Sequence, residues 1–140
     1  MTIRTAVIGL GIMGRRMAEN MVLHPGFTVT TMWDPDPAAC AAAQKVAPDA
    51  TASATASEAM ADVDLVYLAC PPVPRKAYAL EAAAAGKAIF LEKPLGVDIS
   101  ESRALVAELQ AAGVPAAQNP QPQGVQLDES GRVAVVIGLD

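Results

Sequence analysis

The stretch Ala6-Val7-Ile8-Gly9-Leu10-Gly11-Ile12-Met13-Gly14-Arg15-Arg16-Met17-Ala18-Glu19-Asn20 decides the fold, because a glycine-rich turn joins a short apolar run to a helical one. The glycines follow the spacing G-x-G-x-x-G, and each has a separate task. Gly9 permits a tight reversal, Gly11 lets the main chain approach a diphosphate, and Gly14 lets the helix pack closely on the strand. The helix's unpaired N–H groups then face the anion. Alone this spacing is a weak signal, and its context makes it informative. A strand pattern precedes it, a helix pattern follows it, and Asp34 closes the next strand 25 positions after Gly9 (34 minus 9). The candidate cofactor-binding set therefore begins with Gly9, Gly11, Ile12, Met13, Gly14 and Asp34.

Outward from that turn, short apolar runs alternate with alanine-rich helical stretches, the pattern of a parallel sheet covered by helices on both faces. Strands are predicted over Thr5–Ile8, Thr28–Trp33, Leu65–Ala69, Ala88–Leu91 and Pro115–Gln118. Helices are predicted over Met13–Leu23, Ala38–Val46, Arg75–Ala85 and Ser100–Ala112, with a short strand and a helical turn within Ala50–Met60. Pro25-Gly26, Pro48-Asp49, Gly86 and Gly113 punctuate helix ends, and Asp98 or Ser100 with Glu101 supplies an N-cap and an acidic first turn. The expected fold class is α/β, a doubly wound, mostly parallel Rossmann-type sheet with its ligand crevice at the strands' carboxyl ends. Residues 1–118 form the dinucleotide-binding domain in this reading. Residues 119–140 add a linker and a β-hairpin tail.

At 140 residues with 52% hydrophobic content, the chain can bury a real core as one domain. Its net charge of -5 repels a phosphate backbone, so no nucleic-acid partner is expected. No apolar run reaches membrane-spanning length and the N-terminus shows no leader pattern, so no membrane association is expected and the location is read as cytoplasmic. Cys40 and Cys70 do not make a disulfide framework, and a reducing compartment keeps them as thiols. No metal site is expected, because the lone histidine, His24, precedes Pro25-Gly26 as a helix C-terminal cap.

Four places can carry chemistry. The Asp34 carboxylate can accept both hydroxyl hydrogens of an adenine ribose and repels a 2'-phosphate, which favours NAD over NADP. Asp34-Pro35-Asp36-Pro37 also reads as a turn with Asp36 capping the next helix and Pro37 at its first position; both readings can hold together. Arg15 and Arg16 read mainly as a solvated helix face, with a phosphate contact as the alternative. Cys70-Pro71-Pro72-Val73-Pro74 reads as a rigid loop over the cofactor's middle. Its Cys70 is a packing residue in preference to a reactive thiol, since no histidine accompanies it. Glu92-Lys93-Pro94 brings an acid and an ammonium to the mouth of the crevice. There Lys93 can polarise a substrate hydroxyl or relay its proton, or the pair can be a surface ion pair at a strand exit.

Taken together, Gly9 to Gly14, Asp34, Gly86-Lys87 and Glu92-Lys93-Pro94-Leu95-Gly96 resemble the cofactor domain of the glucose-fructose oxidoreductase, inositol dehydrogenase and MocA-like oxidoreductases, over about Thr2 to Ala117. The resemblance implies that Lys93 stands at the catalytic position, that Glu92 and Pro94 shape the nicotinamide site, and that the Lys93–Pro94 peptide is cis. Cofactor binding thus extends to Cys70, Pro71, Glu92, Lys93 and Pro94. The family usually has Asn, then His three residues later, after its fourth strand; this chain has Pro72 and Arg75. Family members also carry a larger second domain that forms the substrate pocket, which the tail past Ala117 does not resemble.

That tail reads as Val125-Gln126-Leu127, a turn at Asp128-Glu129-Ser130-Gly131, and the apolar run Val133–Leu139. Such a strand must be covered. It can fold back on the sheet, or pair with another copy in a homodimer, the arrangement the sequence favours. The functional expectation is an NAD-binding oxidoreductase transferring hydride with a sugar, polyol or related hydroxy compound, for which catalysis needs further pocket walls. The alternative is a non-catalytic nucleotide-binding module, a truncated or engineered isolated cofactor domain.

Overall fold

A computed structural model of the protein describes residues 2–92 and 98–118. Its elements run β1 (Ile3–Ile8), α1 (Ile12–Leu23), β2 (Phe27–Trp33), α2 (Pro37–Val46), β3 (Thr51–Ala52), α3 (Ala56–Ala61), β4 (Leu65–Leu68), α4 (Pro72–Ala84), β5 (Ala88–Leu91), α5 (Ile99–Ala112) and β6 (Ala116–Gln118). The six strands lie in the order β3-β2-β1-β4-β5-β6, every pair parallel. The chain winds outward from β1 through β2 to β3, then crosses back and winds the other way from β4 to β6. This reversal between β1 and β4 opens a crevice at the strands' carboxyl ends.

Side chains alternate across the sheet, as strand geometry demands. Ala6, Ile8, Val66, Leu68, Ile89 and Leu91 face one core, closed by α3, α4 and α5 through Met60, Ala79, Ala82, Leu105 and Leu109. Val7, Val29, Met32 and Tyr67 face the other, closed by α1 and α2 through Ala18, Met21 and Ala43. Alanine predominates at these helix contacts because a small side chain lets a good helix former sit close to the sheet.

Local signals account for the element ends. Asp36 caps α2 by accepting from the Ala38 N–H at 2.9 Å, with Pro37 at the first turn. Thr55 caps α3 through the Glu58 N–H at 3.1 Å, and Asp98 caps α5 through the Glu101 N–H at 2.8 Å. His24 ends α1: its backbone N–H donates to Met21 O, and its Nδ1 accepts from Gly26 N–H. Gly113 ends α5 in the left-handed region, at φ 69°.

One prediction is corrected. Pro72, Val73 and Pro74 belong to the first turn of α4, which begins three residues before Arg75, and are not a separate loop. The first N–H groups of a helix have no partner within it, so prolines there forfeit nothing. The tail 119–140, with its expected hairpin, lies outside the described residues.

Candidate functional site

The loops that follow β1 and β4 meet at the reversal of strand order. Gly9 lies at φ 93°, and a Cβ on it would stand 2.5 Å from Cys70 N and 2.8 Å from the Ala69 carbonyl carbon. A Cβ on Gly14 would stand 1.9 Å from Gly9 O. Both positions therefore require glycine for packing. Gly11 differs: nothing lies within 4 Å of where its Cβ would be. The absent side chain there leaves open space in front of α1, whose N-cap is Gly11 itself, with no side-chain cap and no acidic residue in its first turn. Ile12, at the first position of the helix, is 71% exposed. These features fit a diphosphate against the first-turn amides of α1, with Gly11, Ile12 and Met13 flanking it.

Asp34 ends the neighbouring strand. Its Oδ2 accepts from Leu10 N–H at 2.8 Å and its Oδ1 from Asp36 N–H at 2.8 Å, so the carboxylate staples the glycine loop to β2 while forming the turn into α2. A carboxylate has about four acceptor positions, so two bonds leave capacity for ribose hydroxyls. Arg15 is half-buried and reaches back to Leu10 O at 3.4 Å, whereas Arg16 is exposed; only Arg16 matches the solvated-face reading.

On the other side of the crevice the sequence understated the polar content. Cys70 is buried, and burial pushes its thiol up from the ordinary range, only partly offset by Arg75. Its role as a packing residue fits this environment. Glu92 is 5% exposed and accepts a hydrogen bond at Oε1 from the Tyr67 phenol; it is not the exposed member of a surface ion pair, and that alternative is corrected. Tyr67, fully buried, has its phenol pushed up mainly by burial and then by Glu92. Arg75 is 2% exposed. Its Nε donates to Cys70 O at 3.1 Å, Nη2 donates to the same carbonyl, and Nη1 donates to Glu92 O. Burial lowers its pKa, and neighbouring acceptors offset that. One guanidinium thus ties the exits of β4 and β5 together.

Sequence reasoning noted Arg75 only as a departure and missed the function of Tyr67. A signal existed: Arg75 shares a helical stripe with Ala79 and Ala82, both buried, so its side chain had to turn toward the sheet. Pro71 is the N-cap residue of α4, beside Cys70. The described structure thus brings together Gly9, Gly11, Ile12, Met13, Gly14, Asp34, Cys70, Pro71 and Glu92 at one end of the sheet. Lys93 and Pro94, with the peptide between them, lie outside the described residues.

Comparison with known proteins gives this geometry its relatives. The family model described as "Oxidoreductase family, NAD-binding Rossmann fold", of the glucose-fructose oxidoreductase, inositol dehydrogenase and MocA type, matches residues 3–119. The chain belongs to this family. The inositol 2-dehydrogenase of Agrobacterium fabrum is 37% identical over 111 residues, covering 76% of this chain and 33% of that protein. The scyllo-inositol 2-dehydrogenase (NAD(+)) of Bacillus subtilis is 32% identical over 118 residues, covering 80% of this chain and 34% of that protein. Among solved structures, a UDP-N-acetylglucosamine 3-dehydrogenase from Acidithiobacillus ferrooxidans superposes with a TM-score of 0.75 at 26% identity, over 84% of this chain and 38% of that one. The chain spans about a third of the length of the curated relatives it matches. What it shares with the family is the nicotinamide-cofactor domain, and the open cradle at Gly11 lies within the matched segment. Among the described residues, no helix is long and apolar enough to cross a membrane.

Proposed function

We propose that this chain is the cofactor-binding unit of an oxidoreductase that acts on a sugar, polyol or related hydroxy compound, with NAD as cofactor. The open space at Gly11 in front of an uncapped α1, beside the Asp34 carboxylate, carries the proposal. The amides of Ile12 and Met13 would hold the diphosphate, Asp34 the adenine ribose, and Cys70, Pro71 and Glu92 the wall toward the nicotinamide end. The negative charge of Asp34 favours NAD over NADP, since a 2'-phosphate there would meet a like charge.

The bound nicotinamide would supply a hydride acceptor, or a donor in the reverse direction. This chain's task is then to manage the proton. Lys93, adjoining Glu92 in the sequence, would polarise the substrate hydroxyl and relay its proton as the C–H bond breaks. Arg75 and Tyr67 would hold Glu92 in place. The inositol dehydrogenases among the relatives support a polyol substrate. Unpaired cysteines, Cys40 and Cys70, agree with a cytoplasmic location.

The alternative is a nucleotide-binding module without turnover. NADH fluorescence on titration tests binding, and nicotinamide absorbance with a panel of inositols and sugars tests turnover. Turnover that disappears in Lys93→Ala while NADH affinity holds supports the enzyme; binding without turnover supports the module; no binding defeats both.

A further inference from the structure

The two faces of the sheet are unequally covered. On one face, α3, α4 and α5 reach from β1 to β6. On the other, α1 and α2 close over β1, β2 and β3, while the helices following β4 and β5 lie on the opposite side. Among the described residues, the flank of α1 is thus the last helical cover before β5. There Met17 and Met21 of α1, Phe27 of β2, Leu65 of β4 and Phe90 of β5 line an almost wholly apolar groove of about 220 Å³, to which exposed Asn20 and His24 add the polar side chains. Val22 and Leu23, in the last turn of α1, are 47% and 78% exposed. A groove of this composition gains by being covered with a further apolar segment.

We propose that this groove is filled by the chain's own apolar segment, Val133-Ala134-Val135-Val136-Ile137-Gly138-Leu139. Three observations select that occupant. The segment is uncharged throughout and matches a groove that offers almost no polar partner. The described chain leaves from β6, which pairs with β5 through Phe90↔Ala117 and Leu91↔Gln118, beside a strand that lines the groove. The 14 residues from 119 to 132 then supply the reach: at about 3.3 Å each they extend to about 45 Å, while β6 to β4 is two strand spacings, about 10 Å. A second copy offers the same segment, but the chain's own tail is present at far higher effective concentration. The inference is independent of nucleotide binding.

The test places a photo-cross-linker at the rim, Asn20→p-benzoylphenylalanine, in the full chain, using a mixture of unlabelled and heavy-nitrogen-labelled protein. The expected result is a cross-link from position 20 to the peptide spanning Val133–Leu139, with both ends carrying the same label. Adding Ile137→Asp should reduce its yield severalfold while thermal unfolding stays cooperative. Cross-links joining a labelled to an unlabelled chain would overturn the proposal in favour of exchange between copies. Cross-links confined to other segments, or none, would overturn it outright.

Discussion

The phenol of Tyr67, in the middle of β4, donates to the carboxylate of Glu92, at the exit of β5, and both side chains are buried. The strands are neighbours in parallel register, with Leu68 opposite Leu91, so this bond runs diagonally across the pair toward the crevice. It brings a polar group into an otherwise apolar layer and closes it with a partner, as burial requires.

Tyr67→Phe removes that donor without emptying the space. Glu92 keeps its other partners, and the expected loss of stability is about 1–3 kcal/mol, read from urea unfolding. The same substitution should change the alkaline limb. Because folding raises the Tyr67 pKa, the folded state keeps a proton that the unfolded chain releases above its ordinary value of about 10. Stability from this group is therefore present below pH 10 and falls as pH rises further. In Tyr67→Phe the decline above pH 10 should be shallower; an unchanged slope would mean that Tyr67 does not carry it.

Gly11→Ala and Gly14→Ala should separate binding from folding. The Gly14 substitution forces a methyl to 1.9 Å from Gly9 O and should lower the melting temperature sharply or prevent folding. The Gly11 substitution meets nothing, at a backbone φ of -68° that alanine adopts freely, and should melt close to the parent. Its methyl would enter the cradle, so NADH affinity should drop. Equal melting temperatures for the two variants would contradict the packing role of Gly14.

Asp34→Ala tests cofactor preference and should weaken NAD binding more than NADP binding. It also removes the acceptor for Leu10 N–H, so some loss common to both nucleotides is expected through the glycine loop. The ratio of the two dissociation constants is the informative quantity. An unchanged ratio would contradict the assignment of Asp34 to the ribose.

The two thiols should differ in reactivity. Cys40 is half-buried, its Sγ 3.4 Å from Asp34 O, whereas Cys70 is buried with its pKa raised by burial. Iodoacetamide near neutral pH should alkylate Cys40 first, as peptide mass spectrometry would record. Faster modification of Cys70 would mean that the crevice opens more than its packing suggests.

Most of this fold was legible because its signals are local. The apolar runs gave β1, β2, β4, β5 and β6 nearly to the residue, and the glycine turn placed the crevice. The start of α4 was misplaced because Pro71, Pro72 and Pro74 read as a loop, although a helix's first turn accepts proline readily. The site was half legible. Gly11 and Asp34 announce themselves by spacing, but the bonds from Arg75 to the carbonyls of Cys70 and Glu92 depend on the tertiary approach of two strand ends. From sequence Glu92 reads as an acid at the crevice mouth or as half of a surface ion pair, and only the position of the Tyr67 hydroxyl on the adjacent strand shows why it can be buried.

The central position of β1 carries a cost during synthesis. Its neighbours are β2, 24 positions further along from Ile3 to Phe27, and β4, whose Leu65 pairs with Thr5. A nascent chain emerging from the ribosome can zip β1 to β2 early, but its second edge stays unpaired until residues 65–68 have cleared the exit tunnel. For that interval Ala6 and Ile8, on the face that α3, α4 and α5 close later, remain a bare apolar edge of the kind chaperones shield.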